Sequence, residues 1–302
     1  MREGAGIWER AASTARDGLN TPEDIDQILD EIVTLPSMPG TLTHVTELLE
    51  NPDYSVEEVA KAISADPAIT LKTLRLVNSA YYGFRQHVAS VEHAIVLLGA
   101  KVIRNLVLTA TALESIQQGA EPFFRHSVAS AVCLRAMANL HPLPAGATPE
   151  QAFIYGLLHD VGKMVLEEFM PEDWQMVLDA ARSEKIPVFQ AEQRWLGIDH
   201  AMVGARLAAR WRLSGELVSA IAGHHDLAQC TQPGYRSLAA WTSLADYITS
   251  SAGFPCDYPA PVLLAEGAWE ETALPVDRLP GLLEAFFEAT PEIGQLIKTA
   301  EG

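Results

Sequence analysis

From Thr21 onward the apolar residues recur at intervals of three and four, the spacing that lines one face of an α-helix. Ile25, Ile28, Leu29 and Ile32 form the first stripe. It opens on Thr21-Pro22-Glu23, where a capping hydroxyl, a proline at the first helical position and an acid in the first turn all favour helix initiation. Leu35-Pro36-Ser37-Met38-Pro39-Gly40 ends it. Further stripes follow at Leu42, Val45, Leu48 and Leu49, and then at Val59 and Ile63 behind the capping box Ser55-Val56-Glu57-Glu58. Ile69, Leu71, Leu74, Leu76 and Val77 read as a buried helix closed by Asn78-Ser79, and Ile95 to Leu98 and Val102 to Leu113 give two more around Gly99. No stretch of this half alternates as a half-buried strand would, and the expected class is all-α.

A chain of 302 residues with 48% hydrophobic content can bury more than one core, so the expectation is a two-lobed helical bundle. Its expected parts are a lead-in at 1–20, an N-terminal helical lobe at 21–120, a second helical lobe at 121–250 and an acidic helical extension at 251–302. Gly253-Phe254-Pro255 and Pro259-Ala260-Pro261 mark the bend into that extension. There Leu279, Leu282, Leu283, Phe286 and Phe287 predict a helix, with one more from Pro291 to Ile297.

The formal charge of −18 argues against a nucleic-acid or anionic-membrane partner. Lys72, Arg75, Arg85, Lys101 and Arg104 read as a solvated helical face rather than a DNA-reading surface. Cys133, Cys230 and Cys256 are few and unpatterned, which fits a reducing compartment. The first ten residues lack the apolar core of a signal peptide, and no apolar run is long enough to span a membrane, so a cytoplasmic protein is expected.

The chemistry gathers in the second lobe. His126 shares a stripe with Phe123, Ala129, Cys133 and Met137, which points an imidazole inward. Phe153, Ile154, Leu157, Val161 and Val165 read as one helix carrying His159 and Asp160, with Asp160 on its buried face. His200 follows Asp199, a candidate N-cap, and shares a stripe with Val203, Gly204, Leu207 and Trp211. Ser214 caps a helix through Leu217, Val218 and Ile221 that leads into His224-His225, and Asp246 sits with Leu238, Trp241, Leu244, Ala245 and Ile248. Any one of these groups is readily satisfied by a hydrogen bond, and Lys163 offers Asp160 a plain salt bridge. Repeated inward histidines and carboxylates are expensive as a set, unless a common cation neutralises them. Imidazole and carboxylate together suit iron, manganese, zinc or nickel, as one or two ions.

The pattern Leu35-Pro36-x-x-Pro39, Asp66-Pro67-x-Ile69, Leu74-x-Leu76-x-Asn78-Ser79-Ala80-x-Tyr82, Ser90, Ala94-Ile95, Leu98-Gly99 resembles the HDOD domain, an HD-related output module of bacterial signalling, across roughly residues 21–250. The order His126, His159-Asp160, Asp246 is similar to the H…HD…D signature of HD-superfamily metal phosphohydrolases. His200 and His224-His225 match positions where the HD-GYP phosphodiesterases place ligands of a two-metal centre, and Lys163 matches a lysine that faces substrate phosphate there. The resemblance implies one ion on His126, His159, Asp160 and Asp246 and another on His200, His224, His225 and shared Asp160. The departures are equally plain: His224-His225 is followed by Asp226-Leu227-Ala228-Gln229, and Gly234-Tyr235-Arg236 falls out of register without the proline.

Two functions follow as expectations. One is a regulatory, non-catalytic signalling module acting on a separate protein partner of kinase or cyclase type. The other is a metal-dependent phosphohydrolase taking a cyclic dinucleotide or nucleotide phosphate. Lys163 is then the phosphate contact, with Arg125, Arg206 and Arg236 as further cations near the ligands.

Overall fold

Helix caps and glycine contacts explain how this chain folds. In a computed structural model the described residues are 40–301, apart from 52, 80–81, 117–120, 212, 231 and 257–260. The expected lead-in, the helix from Thr21 and the motif Leu35-Pro36-x-x-Pro39 lie outside them. Every regular element among the described residues is helical, and none of these helices is long and apolar enough to cross a membrane. The residues group into two compact units, one of 40–142, 147–157 and 280–301, the other of 143–146 and 158–279.

The first unit starts with α1 (Gly40–Glu50) and α2 (Val56–Ser64). The predicted capping box forms: Ser55 Oγ accepts from the Glu58 N–H at 3.0 Å and Glu58 Oε2 accepts from the Ser55 N–H at 3.1 Å. α3 (Pro67–Val77) is capped by Asp66, whose Oδ1 accepts from the Ile69 N–H at 3.1 Å. It buries Ile69, Leu76 and Val77, whereas Leu71 is half exposed on the opposite face. α4 (Val91–Leu98) begins at the Ser90 cap, ends at Gly99 with φ +83°, and is followed by α5 (Ala100–Ile116). Between α3 and α4, Asn78 closes the loop. Its Nδ2 donates to the Leu74 and Val88 carbonyls at 2.8 and 2.9 Å, and its Oδ1 accepts from the Val88 N–H at 2.8 Å.

Two more helices follow, α6 (Glu121–Leu140) and α7 (Pro149–Leu158). They touch at Gly156, where a Cβ would lie 2.5 Å from the Ser130 carbonyl oxygen. Arg135 on α6 is buried, pairs with Glu292 at 2.5 Å and lies 4.7 Å over the Phe153 ring. Glu292 belongs to α15 (Leu279–Glu301), which runs unbroken through Pro291, so the separate helix expected from Pro291 does not exist. Leu282, Phe286, Ile293 and Leu296 continue one buried stripe across the proline, which explains why the helix persists.

The second unit contains α8 (Val161–Phe169), α9 (Pro171–Glu184), α10 (Val188–Leu196), α11 (His200–Arg210), α12 (Gly215–Gly223), α13 (Arg236–Ser251) and the short α14 (Ala268–Thr272). The single helix expected from Pro149 through Val165 is broken. α7 stops at Leu158, Asp160 occupies the N-cap position of α8, and the Lys163 N–H bonds the Asp160 carbonyl at 2.9 Å. α8 meets α11 through glycine. A Cβ on Gly162 would sit 1.9 Å from the His200 carbonyl oxygen, and one on Gly204 would sit 3.1 Å from the Gly162 nitrogen. Asp199 caps α11 by accepting from the Met202 N–H at 2.9 Å, and Ser214 caps α12 by accepting from the Leu217 N–H at 3.4 Å.

Asn78→Ala takes the side-chain partner from the Val88 N–H and carbonyl, while the Leu74 carbonyl keeps the residue 78 backbone N–H, and is expected to lower stability by about 2 kcal/mol. Chemical denaturation at matched m-value checks this, and an unchanged midpoint contradicts the assignment of Asn78 as the clasp of the loop.

Candidate metal centre

Each side chain of the site is delivered by a helix end or a buried helical stripe of the second unit. The break between α7 and α8 presents His159 and Asp160, α11 presents His200 in its first turn, the end of α12 presents His224 and His225, and α13 presents Asp246. His159, Asp160, His200 and His224 are almost wholly excluded from solvent, with none above 1% exposed. The close approach of Gly162 to the His200 backbone brings Asp160 and His200 together.

One ligand atom from each of Asp160, His200, His224 and His225 lies within 4.8 Å of the others. His200 Nε2 is 3.0 Å from Asp160 Oδ1, 3.3 Å from His224 Nε2 and 3.0 Å from His225 Nε2. His224 Nε2 is in turn 3.6 Å from Asp160 Oδ1. On the other side of the carboxylate, His159 Nε2 stands 3.5 Å from Asp160 Oδ2 and 3.9 Å from Asp246 Oδ1. Asp160 therefore faces a cluster of three imidazoles with one oxygen and His159 with the other.

The tautomers decide what such a cluster can do. His224 Nδ1 donates to the Ile221 carbonyl at 2.6 Å, so its Nε2 carries a lone pair. His200 Nδ1 donates to Glu192 Oε2 at 2.7 Å, which leaves its Nε2 facing the centre. Burial pushes the His225 pKa well below the usual imidazole range, and its His224 and His200 neighbours push it further, so it too is a neutral base. Phe189 stacks on its ring, 4.4 Å between centroids and 11° from parallel. Burial alone would raise the Asp160 pKa, but His159, Lys163 and His200 hold it well below the usual carboxylate value.

The centre thus sets a carboxylate and lone pairs around His200 Nε2. A proton is one way to relieve that. Burial works against charging His200, yet the Glu192 carboxylate, with Asp160, outweighs it and pushes the pKa up to about 10. One N–H, however, serves one acceptor well, and three acceptor atoms lie between 3.0 and 3.3 Å from this nitrogen. A metal ion in the proton's place would satisfy all of them together. Ligands about 2.1 Å from an ion stand about 3.4 Å apart in a tetrahedron and about 3.0 Å apart along octahedral edges. The three separations from His200 Nε2, 3.0 to 3.3 Å, fall in that range and the His224 Nε2–Asp160 Oδ1 separation of 3.6 Å lies just beyond it, so the donor set fits a metal ion.

Lys163 is buried, and its Nζ donates to Asp160 Oδ2 at 2.8 Å, the salt bridge that its position three residues on allows. A cleft of about 460 Å³, open to solvent, reaches Lys163, His200, His225 and Asp246, and Val188, Phe189, Val262 and Leu263 supply apolar wall. Arg206 is exposed on α11, and Arg236 pairs with Glu271 at 3.6 Å. His126 belongs to the other unit, where it is buried on α6 with its Nε2 3.5 Å from Ser130 Oγ, and Arg125 is exposed beside it. Glu192 and Phe189, which hold His200 and His225, escaped the sequence reading. Glu192 lies on the same stripe of α10 as Val188, Ala191 and Leu196, and an acid on an apolar stripe is the signal that could have found it.

An all-helical protein with a buried His/Asp centre is the class that these observations define. The model of the HDOD domain matches residues 35–227, and the chain belongs to the HDOD family. Solved structures agree on the fold. An HDOD domain protein from Geobacter sulfurreducens superposes with a TM-score of 0.68 at 23% identity, covering 91% of this chain and 96% of its own. A provisionally named phosphohydrolase from Shewanella amazonensis gives 0.61 at 23% identity, with 90% and 92% covered. A provisionally named signal transduction protein from Marinobacter aquaeolei gives 0.67 at 19% identity, with 99% of this chain and 66% of that one covered. An uncharacterised protein of Treponema pallidum is 26% identical over 227 residues, 72% of this chain, which spans only 43% of that relative's length.

Gly162→Ala drives a methyl group into the backbone of α11. The expected loss is about 3 kcal/mol, visible as a lowered melting temperature. A melting temperature unchanged from wild type contradicts the close approach on which the centre depends.

Proposed function

We propose that this HDOD protein is a regulatory module whose His/Asp centre holds one or two divalent transition-metal ions and turns over no substrate. Iron, manganese, zinc and nickel all suit the mixed imidazole and carboxylate donors of Asp160, His200, His224 and His225, with His159 and Asp246 beside them. When bound, such an ion supplies Lewis acidity and a fixed positive charge. The proposal includes a signalling protein of kinase or cyclase type as its partner.

The observation that carries this reading is the engagement of Lys163. Among the described residues lining the cleft it is the sole lysine or arginine, and its ammonium group already sits 2.8 Å from Asp160. A phosphohydrolase needs several preorganised cations or N–H groups around the transferred phosphoryl oxygens. Here the remaining wall is largely apolar, and Arg236 is directed to Glu271 instead. A second reading, a metal-dependent phosphohydrolase acting on a cyclic dinucleotide or nucleotide phosphate, is favoured by one observation: the cleft opens onto His200, His225 and Asp246.

Purified protein supplied in turn with manganese, iron, zinc and nickel should hydrolyse neither cyclic dimeric GMP nor bis(p-nitrophenyl) phosphate faster than the Asp160→Asn variant. Turnover that is metal-dependent and lost in Asp160→Asn would overturn the regulatory reading in favour of the enzyme.

A further inference from the structure

We propose that Glu192 is the positioning residue of this centre, the group that fixes the tautomer and ring orientation of His200 and so sets the affinity for the ion. The proposal rests on the metal reading of the site and deepens it. Glu192 is fully buried, at 0% exposure. A buried carboxylate is costly unless hydrogen bonds or charges compensate it, and two donors converge on one of its oxygens. Glu192 Oε2 accepts from His200 Nδ1 at 2.7 Å and from the His200 backbone N–H at 2.9 Å.

Three consequences follow from that arrangement. The Nδ1 proton is held on the side of Glu192, which leaves Nε2 as the atom that faces Asp160, His224 and His225. The ring cannot rotate without breaking the bond to Glu192, while the backbone bond fixes the residue that carries the ring. The adjacent negative charge also makes the imidazole a stronger electron donor, as carboxylates behind metal-binding histidines do. α10 presents a second residue to the same end. Phe189, three positions before Glu192, stacks on His225, so one helix orients two of the three imidazoles.

The test uses zinc as the probe and the full chain stripped of metal. Zinc affinity is measured by competition with a chromogenic chelator for wild type, E192Q, E192A and D160N, and the histidine ring nitrogens of zinc-loaded wild type are read by 15N NMR. The expected result is a His200 with Nε2 bound and Nδ1 protonated, and a 10–100-fold loss of zinc affinity in E192A with a smaller loss in E192Q, which keeps an acceptor of the same shape. Melting curves of the metal-free proteins separate this from unfolding, and E192Q carries the comparison if E192A does not fold. Wild type and E192A agreeing within twofold, or, where E192A does not fold, wild type and E192Q agreeing, would overturn the proposal while leaving the metal reading intact, as would a His200 bound through Nδ1. Wild type that takes up no more zinc than D160N would remove the metal reading and the proposal together.

Discussion

The carboxylate of Asp160 is buried among one ammonium group and several imidazoles, and most of the second unit is arranged so that it can be. A charge out of water is tolerable only if its neighbours replace the water, and here Lys163 takes one oxygen while His200 and His224 face the other. That balance explains why the chain breaks its helix at His159-Asp160 instead of continuing from α7 into α8. It also explains the glycines. Gly162 and Gly204 let α8 and α11 approach until their backbones touch, and any side chain at Gly162 would push His200 away from the carboxylate it neutralises.

Packing and chemistry are therefore coupled in one place. The elements that carry the donors, α8, α11, α12 and α13, are packed in sequence against one another. α10 stands behind two of the imidazoles through Glu192 and Phe189. A site built in this way is preorganised: the donors are held by hydrogen bonds to groups outside the cluster, and little rearrangement is needed to receive an ion. Among the described residues lining the cleft, the one lysine is already committed to Asp160.

Much of this was legible in the sequence, and what was not has physical reasons. Caps at Ser55, Asp199 and Ser214 and the apolar stripes between them marked the helices, since capping and periodicity are local. His159, Asp160, His200, His224, His225 and Asp246 could be nominated because polar groups on apolar stripes stand out. The break after Leu158 was hidden because Val161 and Val165 continue the spacing of Phe153 and Leu157, and only the contact with α11 reveals the turn. Pro291 misled in the opposite direction, since a local breaker was overridden by a buried stripe running past it. Glu192 stands on the apolar stripe of Val188, Ala191 and Leu196, but its role depends on a partner eight residues away in the next helix, which no local pattern reveals.

A metal ion in the cluster around Asp160 is read out by elemental analysis of anaerobically purified protein, beside the isosteric Asp160→Asn variant. The expected result is stoichiometric iron, manganese, zinc or nickel in the wild type, as one or two ions per chain, and its loss in a variant that still melts cooperatively. A wild-type protein that carries no transition metal and takes up none when it is supplied would contradict it, and would leave His200 as a buried imidazolium held between Glu192 and Asp160.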